Sequence, residues 1–327
     1  MTHYPFFRLS PGLLPITVLA LTLAVFSPFS PAQDEDTPSP FSLFSDPEDR
    51  ATYEWLLERS ADQPYAHYGR KGELEWIGFE GESKYTCSLY LDEEGRVVKM
   101  MFNKLGFHND ELEQLAGFRH VREITCAHNF DENGPNAYRE GPNPVSGTGW
   151  IAFKDHPIEF FKIGGCPFDG DGLEALAHFP NLRRLSVFHT RVNDEDLAVL
   201  EGHPALEWIH AGPMWDDKIT DAALVRLARV PNLKGVKIVE TFLTYENGFR
   251  HLVEAHGDQL ETIELGNTLM PLADRETLRE ALPDAEITQD SVEEIGKLVV
   301  DNWKGADRKL GKWAPAEVIE AYRAAAE

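Results

Sequence analysis

The feature that most constrains this chain is a recurring apolar-x-x-apolar-x-apolar spacing. It stands at Val97-Met100-Phe102, Val121-Ile124-Cys126, Ile158-Phe161-Ile163, Leu182-Leu185-Val187, Leu206-Ile209-Ala211, Leu233-Val236-Ile238 and Leu260-Ile263-Leu265. The first residues of successive units are 24, 37, 24, 24, 27 and 27 apart, and a weaker further turn ends at Ile287, 24 residues beyond Ile263. Every step except the 37 lies within the roughly 20–29 residues of a repeat that supplies one strand and one return. Side chains alternate along a strand, so the apolar columns predict one buried face and leave the residues between them on the other. A unit this small cannot bury its apolar face alone. It has to stack on its neighbours, which predicts a solenoid.

The second half of each unit repeats as well, in HNDELEQLAGFRHV, DGDGLEALAHFPNL, VNDEDLAVLEGHPAL and ITDAALVRLARVPNL. Each sets a polar residue (Asn109; Asp169; Asn193 or Asp194; Thr220 or Asp221) ahead of leucines three apart. Such a residue accepts hydrogen bonds from the free amides of a helix's first turn. Leu173/Leu176, Leu197/Leu200 and Leu224/Leu227 then form one buried stripe per helix. Pro180, Pro204 and Pro231 follow the helices and force the chain extended into the next strand.

Segments such as FPNLRRLSVFHTRVNDEDLAVL and VPNLKGVKIVETFL resemble the leucine-rich repeats of bacterial exported proteins, close to the subtype with a Thr-Asp-x-x-Leu helix start. The resemblance covers roughly Arg96 to Ile287. It implies an α/β leucine-rich-repeat solenoid, with a curved parallel sheet on the concave side, helices on the convex side and a cap at each end. It also implies a binding scaffold. The asparagine that usually closes the strand motif stands only at Asn129; Cys166, Thr190, Thr241 and Thr268 occupy that column elsewhere, a departure that bears on regular curvature.

Around the repeats the chain changes character. Residues 1–32 read as a signal peptide: Arg8, an apolar run from Leu13 to Phe26, and small residues at Ser30–Ala32 before Gln33. That predicts export to a periplasmic or secreted destination, with no membrane insertion after cleavage. Residues 33–47 are acidic and proline-rich, a linker by composition. Residues 48–95 read as an N-terminal cap, with a helix over Glu48–Ser60 and strands over Leu74–Phe79 and Lys84–Leu91. The repeat domain spans 96–287, with an inserted Gly/Pro/Asn-rich loop at 130–150 that accounts for the long step. Residues 288–327 read as a helical C-terminal cap over Ser291–Trp303 and Pro315–Ala326.

Chemistry is sparse. No nucleophile elbow, zincin motif, phosphate loop or dinucleotide fingerprint is present, so no catalytic residue, metal ligand or cofactor is assigned. Cys126-x-His128 and the acidic runs at Asp131–Gly134 and Asp169–Gly172 lack the spacing of zinc or calcium sites. A disulfide among Cys87, Cys126 and Cys166 stays open. Lys plus Arg number 31 against 55 Asp plus Glu, a net charge of -24 that argues against nucleic acid as a partner. Yet the outward strand positions carry four bases (Lys99, Lys162, Arg184, Lys237) against two acids (Glu123, Glu264), and Phe160, Phe188 and Trp208 gather on the middle strands. Aromatic and arginine side chains dominate binding hot spots. The expected site is therefore Phe160, Lys162, Arg184, Phe188, Trp208, His210 and Lys237, facing a protein or a cell-envelope glycan. Two rivals are a structural spacer without a discrete ligand, and an unfamiliar hydrolase built from the 130–150 loop with His128 and Asp131. A third outcome is that the caps or the loop fold over this face and bury its aromatics.

Overall fold

A computed structural model describes residues 40–59, 65–71, 74–80, 86–130, 142–213, 219–300 and 314–326. The proposed signal peptide, residues 33–39 and the middle of the inserted loop lie outside the described residues. The chain divides into Met1–Pro38 and a compact unit Ser39–Glu327.

One sheet of eleven strands runs through the unit in chain order. It begins with β1 (Tyr65–Lys71), β2 (Leu74–Glu80), β3 (Thr86–Leu91) and β4 (Val97–Asn103), which pair antiparallel. From β4 onward every pairing is parallel: β5 (Glu123–Ala127), β6 (Phe160–Gly164), β7 (Arg184–Thr190), β8 (Trp208–Pro213), β9 (Gly235–Val239), β10 (Thr262–Gly266) and β11 (Glu286–Gln289). This is the solenoid that the spacing predicts, in the α/β form that the resemblance to leucine-rich repeats implies. The register matches it column for column, with Ile124, Phe161, Leu185, Ile209, Val236 and Ile263 in one row that ends on Ile287. Each member from Ile124 to Ile263 is fully buried.

The returns place helices against the buried face: α1 (Pro47–Arg59), α2 (Asn109–Leu115), α3 (Gly170–Ala177), α4 (Asp221–Leu227), α5 (Arg250–His256) and α6 (Leu272–Ala281). Strands sit about 4.8 Å apart and helices about 8–10 Å apart, so the strand side is the inside of the curve. Two returns use narrower 3-10 turns instead, Thr148–Phe153 and Asp196–Leu200. The helix starts resolve the sequence alternatives. Asn193 Oδ1 accepts from the Glu195 and Asp196 amides just ahead of the 3-10 turn, whose N-cap is Glu195, and Thr220 Oγ1 accepts from Ala222 as the cap of α4. Asp194 and Asp221 instead reach one repeat onward, each taking the backbone amide and hydroxyl of a threonine, Thr220 and Thr244. The cap of α2 is His108 rather than Asn109, which is the first helical residue.

The column after the strands shows what the missing asparagines cost. Asn129 accepts from the Phe107 amide (2.7 Å) and donates to the Phe107 carbonyl (2.8 Å), satisfying both groups of the turn before it. Thr190, Thr241 and Thr268 have one hydroxyl each and bond the carbonyls of Val187, Ile219 and Ile238. Cys166 fills its place as a buried thiol, and Cys87, Cys126 and Cys166 are all free. Beside this column the chain turns through left-handed backbone at Lys104, His128, Gly165, His189, Glu240 and Asn267. Pro213, whose ring forbids that φ, interrupts the series.

Helices pack near both ends of the parallel stack. At the start, the buried Asp49 carboxylate on α1 accepts the Val97 amide at 2.6 Å, and desolvation raises its pKa to about 6. The part of the 33–47 stretch that is described is no free linker: Pro40–Leu43 forms a 3-10 turn, and Phe41 and Phe44 pack on Tyr53. At the far end, α7 (Val292–Val300) and α8 (Ala316–Ala326) bury Ile295, Val318 and Tyr322 against Leu269. The Tyr322 hydroxyl donates to the Met270 carbonyl, and Arg275 lies beneath it, bonded to Gln289 and the Asp290 carbonyl.

Candidate functional site

The seven residues that the sequence nominates all lie on the helix-free face of β6 to β9, as alternation requires. Register sets Phe160, Arg184, Trp208 and Gly235 in one row, and Lys162, Ser186, His210 and Lys237 in the next. A third row runs Gly164, Phe188, Gly212. Two of these glycines make room for aromatic rings to lie over the sheet. A Cβ on Gly235 would stand 2.5 Å from Trp208 Cδ1, and one on Gly212 would stand 2.8 Å from Phe188 Cδ2. Real side chains do not approach so closely, so glycine at both positions belongs to the site.

The rings are half-buried, chiefly among one another. Arg184 Cζ lies 4.9 Å from the Trp208 ring centroid and 5.9 Å from that of Phe160, a cation held between two aromatic rings. Phe188 stacks on His210, at 4.8 Å and 14°, and on His189, at 3.6 Å and 26°. Among the described residues these neighbours, rather than a cap, account for the aromatic contacts. The described part of the inserted loop goes elsewhere. Asn143 Nδ2 donates to the Pro167 carbonyl and to Asp169, Asn109 bonds Ser146, and Trp150 is buried against Phe161 from the helix side. The loop's 3-10 turn, between α2 and α3, fills the place of a missing helix.

Electrostatics divide the nominated cations. Lys99 pairs with Glu123 at 2.7 Å, and Lys237 with Glu264 at 2.5 Å, each directly across one strand pairing. Lys162 and Arg184 have no carboxylate within ion-pair distance among the described residues, and both are exposed. Lys237 is thus held by its neighbour, while the other two carry open charge.

His210 contributes a polar edge rather than a charge. Burial, with Lys237 and Lys162 adding to it, drives its pKa down to about 3, so the ring is neutral at ordinary pH. Its Nδ1 meets Ser186 Oγ at 3.1 Å, and its buried Nε2 has no partner among the described residues. Ser186 is itself only 2% exposed, which closes its hydroxyl to a substrate.

Sequence reasoning named only His128 of the rim beside this patch and missed the rest. His189 Nε2 contacts Glu240 Oε2 at 2.9 Å, and His128 Nδ1 contacts Asn103 Oδ1 at 2.9 Å. His128, His189 and Glu240 occupy the left-handed column, one residue past the alternating strand positions. Their common offset in the repeat was the available signal. Among the described residues no group of three His, Cys, Asp or Glu side chains is placed to hold a metal ion, and no helix is long and apolar enough to cross a membrane. Asp169 is the N-cap residue of α3 and Asp171 lies on its first turn.

No protein-family model matches the chain, and no curated protein matches it. Among solved structures it is similar to an internalin C2 from Listeria monocytogenes, at 14% identity and a TM-score of 0.38, over 80% of this chain and 94% of that one. It is also similar to another internalin of that organism, internalin F, at 15% identity and a TM-score of 0.31, over 54% of this chain and 59% of the other. These likenesses are loose, and the solenoid stands on the chain's own ladder of paired strands.

Proposed function

We infer that this chain is a non-catalytic recognition scaffold, exported from the cell, which binds a protein on the concave face of β6 to β9. The observation that carries this reading is the pair of open cations, Lys162 and Arg184, set among half-buried aromatics on a chain of net charge -24. Removing acids from one face of an acidic molecule costs it solubility and gives the fold nothing. A partner gives that face a use, through charge steering and aromatic contact. Export rests on the signal-like residues 1–32 and is tested by N-terminal sequencing of the secreted protein, which should begin at Gln33.

The binding reading is tested by cross-linking the protein to its partner in the envelope and exported fractions of the source cell. Wild type should retain a partner that the Arg184→Ala/Trp208→Ala variant releases. Equal capture by both would remove this face from the account. A protein that stays in the wall fraction without a soluble partner would favour a structural spacer instead.

A further inference from the structure

The geometry points to the chemistry of the partner: an extended acidic peptide segment whose alternate carboxylates pair with Arg184 and Lys162. This rests on the concave-face reading above and narrows it. A guanidinium is planar, and its N–H donors radiate in the plane. Arg184, whose Cζ lies over the rings of Trp208 and Phe160, is exposed and has no carboxylate within ion-pair distance among the described residues, so its donors remain available to another group. A fork immobilised in this way has already lost most of its side-chain freedom, so a carboxylate that meets it bidentately gains more than one meeting a free arginine. Among the described residues no acid takes that place, although the neighbouring cations Lys99 and Lys237 each have one.

Spacing selects the form of the ligand. Lys162 pairs in register with Ser186, so it lies diagonally from Arg184, two positions along the neighbouring strand. With strands about 4.8 Å apart and about 3.3 Å per residue along them, such diagonal positions are about 8 Å apart. Alternate side chains of an extended peptide recur at about 6.5–7 Å and point the same way, so two acids separated by one residue span both cations. A glycan is the poorer fit. Sugars stack on open aromatic faces, and here Phe188 is stacked by His189 and His210, while Arg184 lies over Phe160 and Trp208. A polyphosphate is the poorer fit as well: two open cations match the two acids of a short peptide segment, whereas the further charges of a polyphosphate would meet the chain's surplus of 24 negatives unmatched.

The test is selection from a random dodecapeptide display library on the full mature protein. The selected peptides are then measured by fluorescence anisotropy against wild type, Arg184→Gln, Lys162→Gln and Trp208→Ala. Circular dichroism confirms that each variant is folded. The expected result is enrichment of Asp or Glu at alternate positions. Affinity should fall at least tenfold for Arg184→Gln, and by a similar factor when the peptide's acids become amides. Arg184→Lys should recover only part of the loss, because a point charge replaces a fork. Peptides without acid enrichment whose binding is lost with Trp208→Ala would overturn the carboxylate inference and leave the concave face standing. Peptides indifferent to all the variants, or no selection above background, would overturn both. Tighter binding of tetragalacturonate than of any selected peptide, with loss in Arg184→Gln, would overturn the peptide in favour of a uronic acid glycan.

Discussion

Two neighbouring rows of the same sheet handle charge in opposite ways. The row at the start of the strands reads Arg122, Glu159, Arg183, Glu207, Lys234, Glu261, alternating in sign from one repeat to the next. Each amide donates to the carbonyl before it, from Glu159 onto Arg122 through Glu261 onto Lys234, at 2.7–2.9 Å. Arg183 grips both oxygens of Glu207, and Lys234 lies between Glu207 and Glu261. One row further in, the charges stop cancelling at Arg184, and in the following outward row at Lys162. Repetition makes cancellation easy, because one residue per repeat sets the sign. Its failure on two adjacent strands therefore sets the proposed docking surface apart from the rows that serve the stack.

The contrast breaks if the open cations hold the fold together. Phe161 supplies the scale, since it directly precedes Lys162 in sequence and is fully buried beside Trp150 and Phe179. Phe161→Ala should cost about 3–5 kcal/mol, while Lys162→Gln should stay within about 0.5 kcal/mol; urea unfolding of both variants checks this. A Lys162 effect approaching that of Phe161 would make the patch structural.

A second effect comes from His210. Its folded pKa, about 3, lies below the ordinary value of 6.5. Between those values the unfolded chain binds the extra proton, so stability is full above about pH 6.5 and falls as pH drops towards 3. The partly buried ring should account for a loss on the order of 2 kcal/mol by pH 4, allowing for solvent screening. In His210→Asn, urea midpoints taken from pH 7 to pH 4 should fall less steeply than in wild type. Identical slopes would show that the ring titrates freely.

Smaller effects sharpen the two rows separately. Glu207→Gln breaks the grip of Arg183 on an exposed row and should lower stability by up to about 1 kcal/mol, less at high salt. Thermal melts at low and high ionic strength read this. Glu264→Gln releases Lys237, which adds a third open cation to the patch, and should tighten binding of an acidic peptide two- to fivefold in anisotropy titrations. Weaker or unchanged binding would mean that Lys237 lies outside the docking surface.

The solenoid was legible in sequence because burial recurs at fixed offsets, and Ile124 through Ile263 needed only a spacing to be placed. The concave residues followed from alternation alone. What stayed hidden depends on contacts between repeats that no single repeat encodes. Nothing in the identity of Lys237 tells that Glu264 faces it while no acid faces Lys162; register decides that. The antiparallel β1, whose segment carries no apolar alternation, escaped notice, and so did the left-handed column with His189 and Glu240. The inserted loop was read as a neighbour of the site, whereas its described portion packs among the helices.

The most direct measurement compares affinity and thermal stability in one double variant, Lys162→Gln/Arg184→Gln. The account predicts an unfolding temperature close to that of wild type, with affinity for an acid-bearing peptide reduced by roughly a hundredfold, about 2.7 kcal/mol. A variant that keeps its affinity, or one that loses it only by melting earlier, would contradict it.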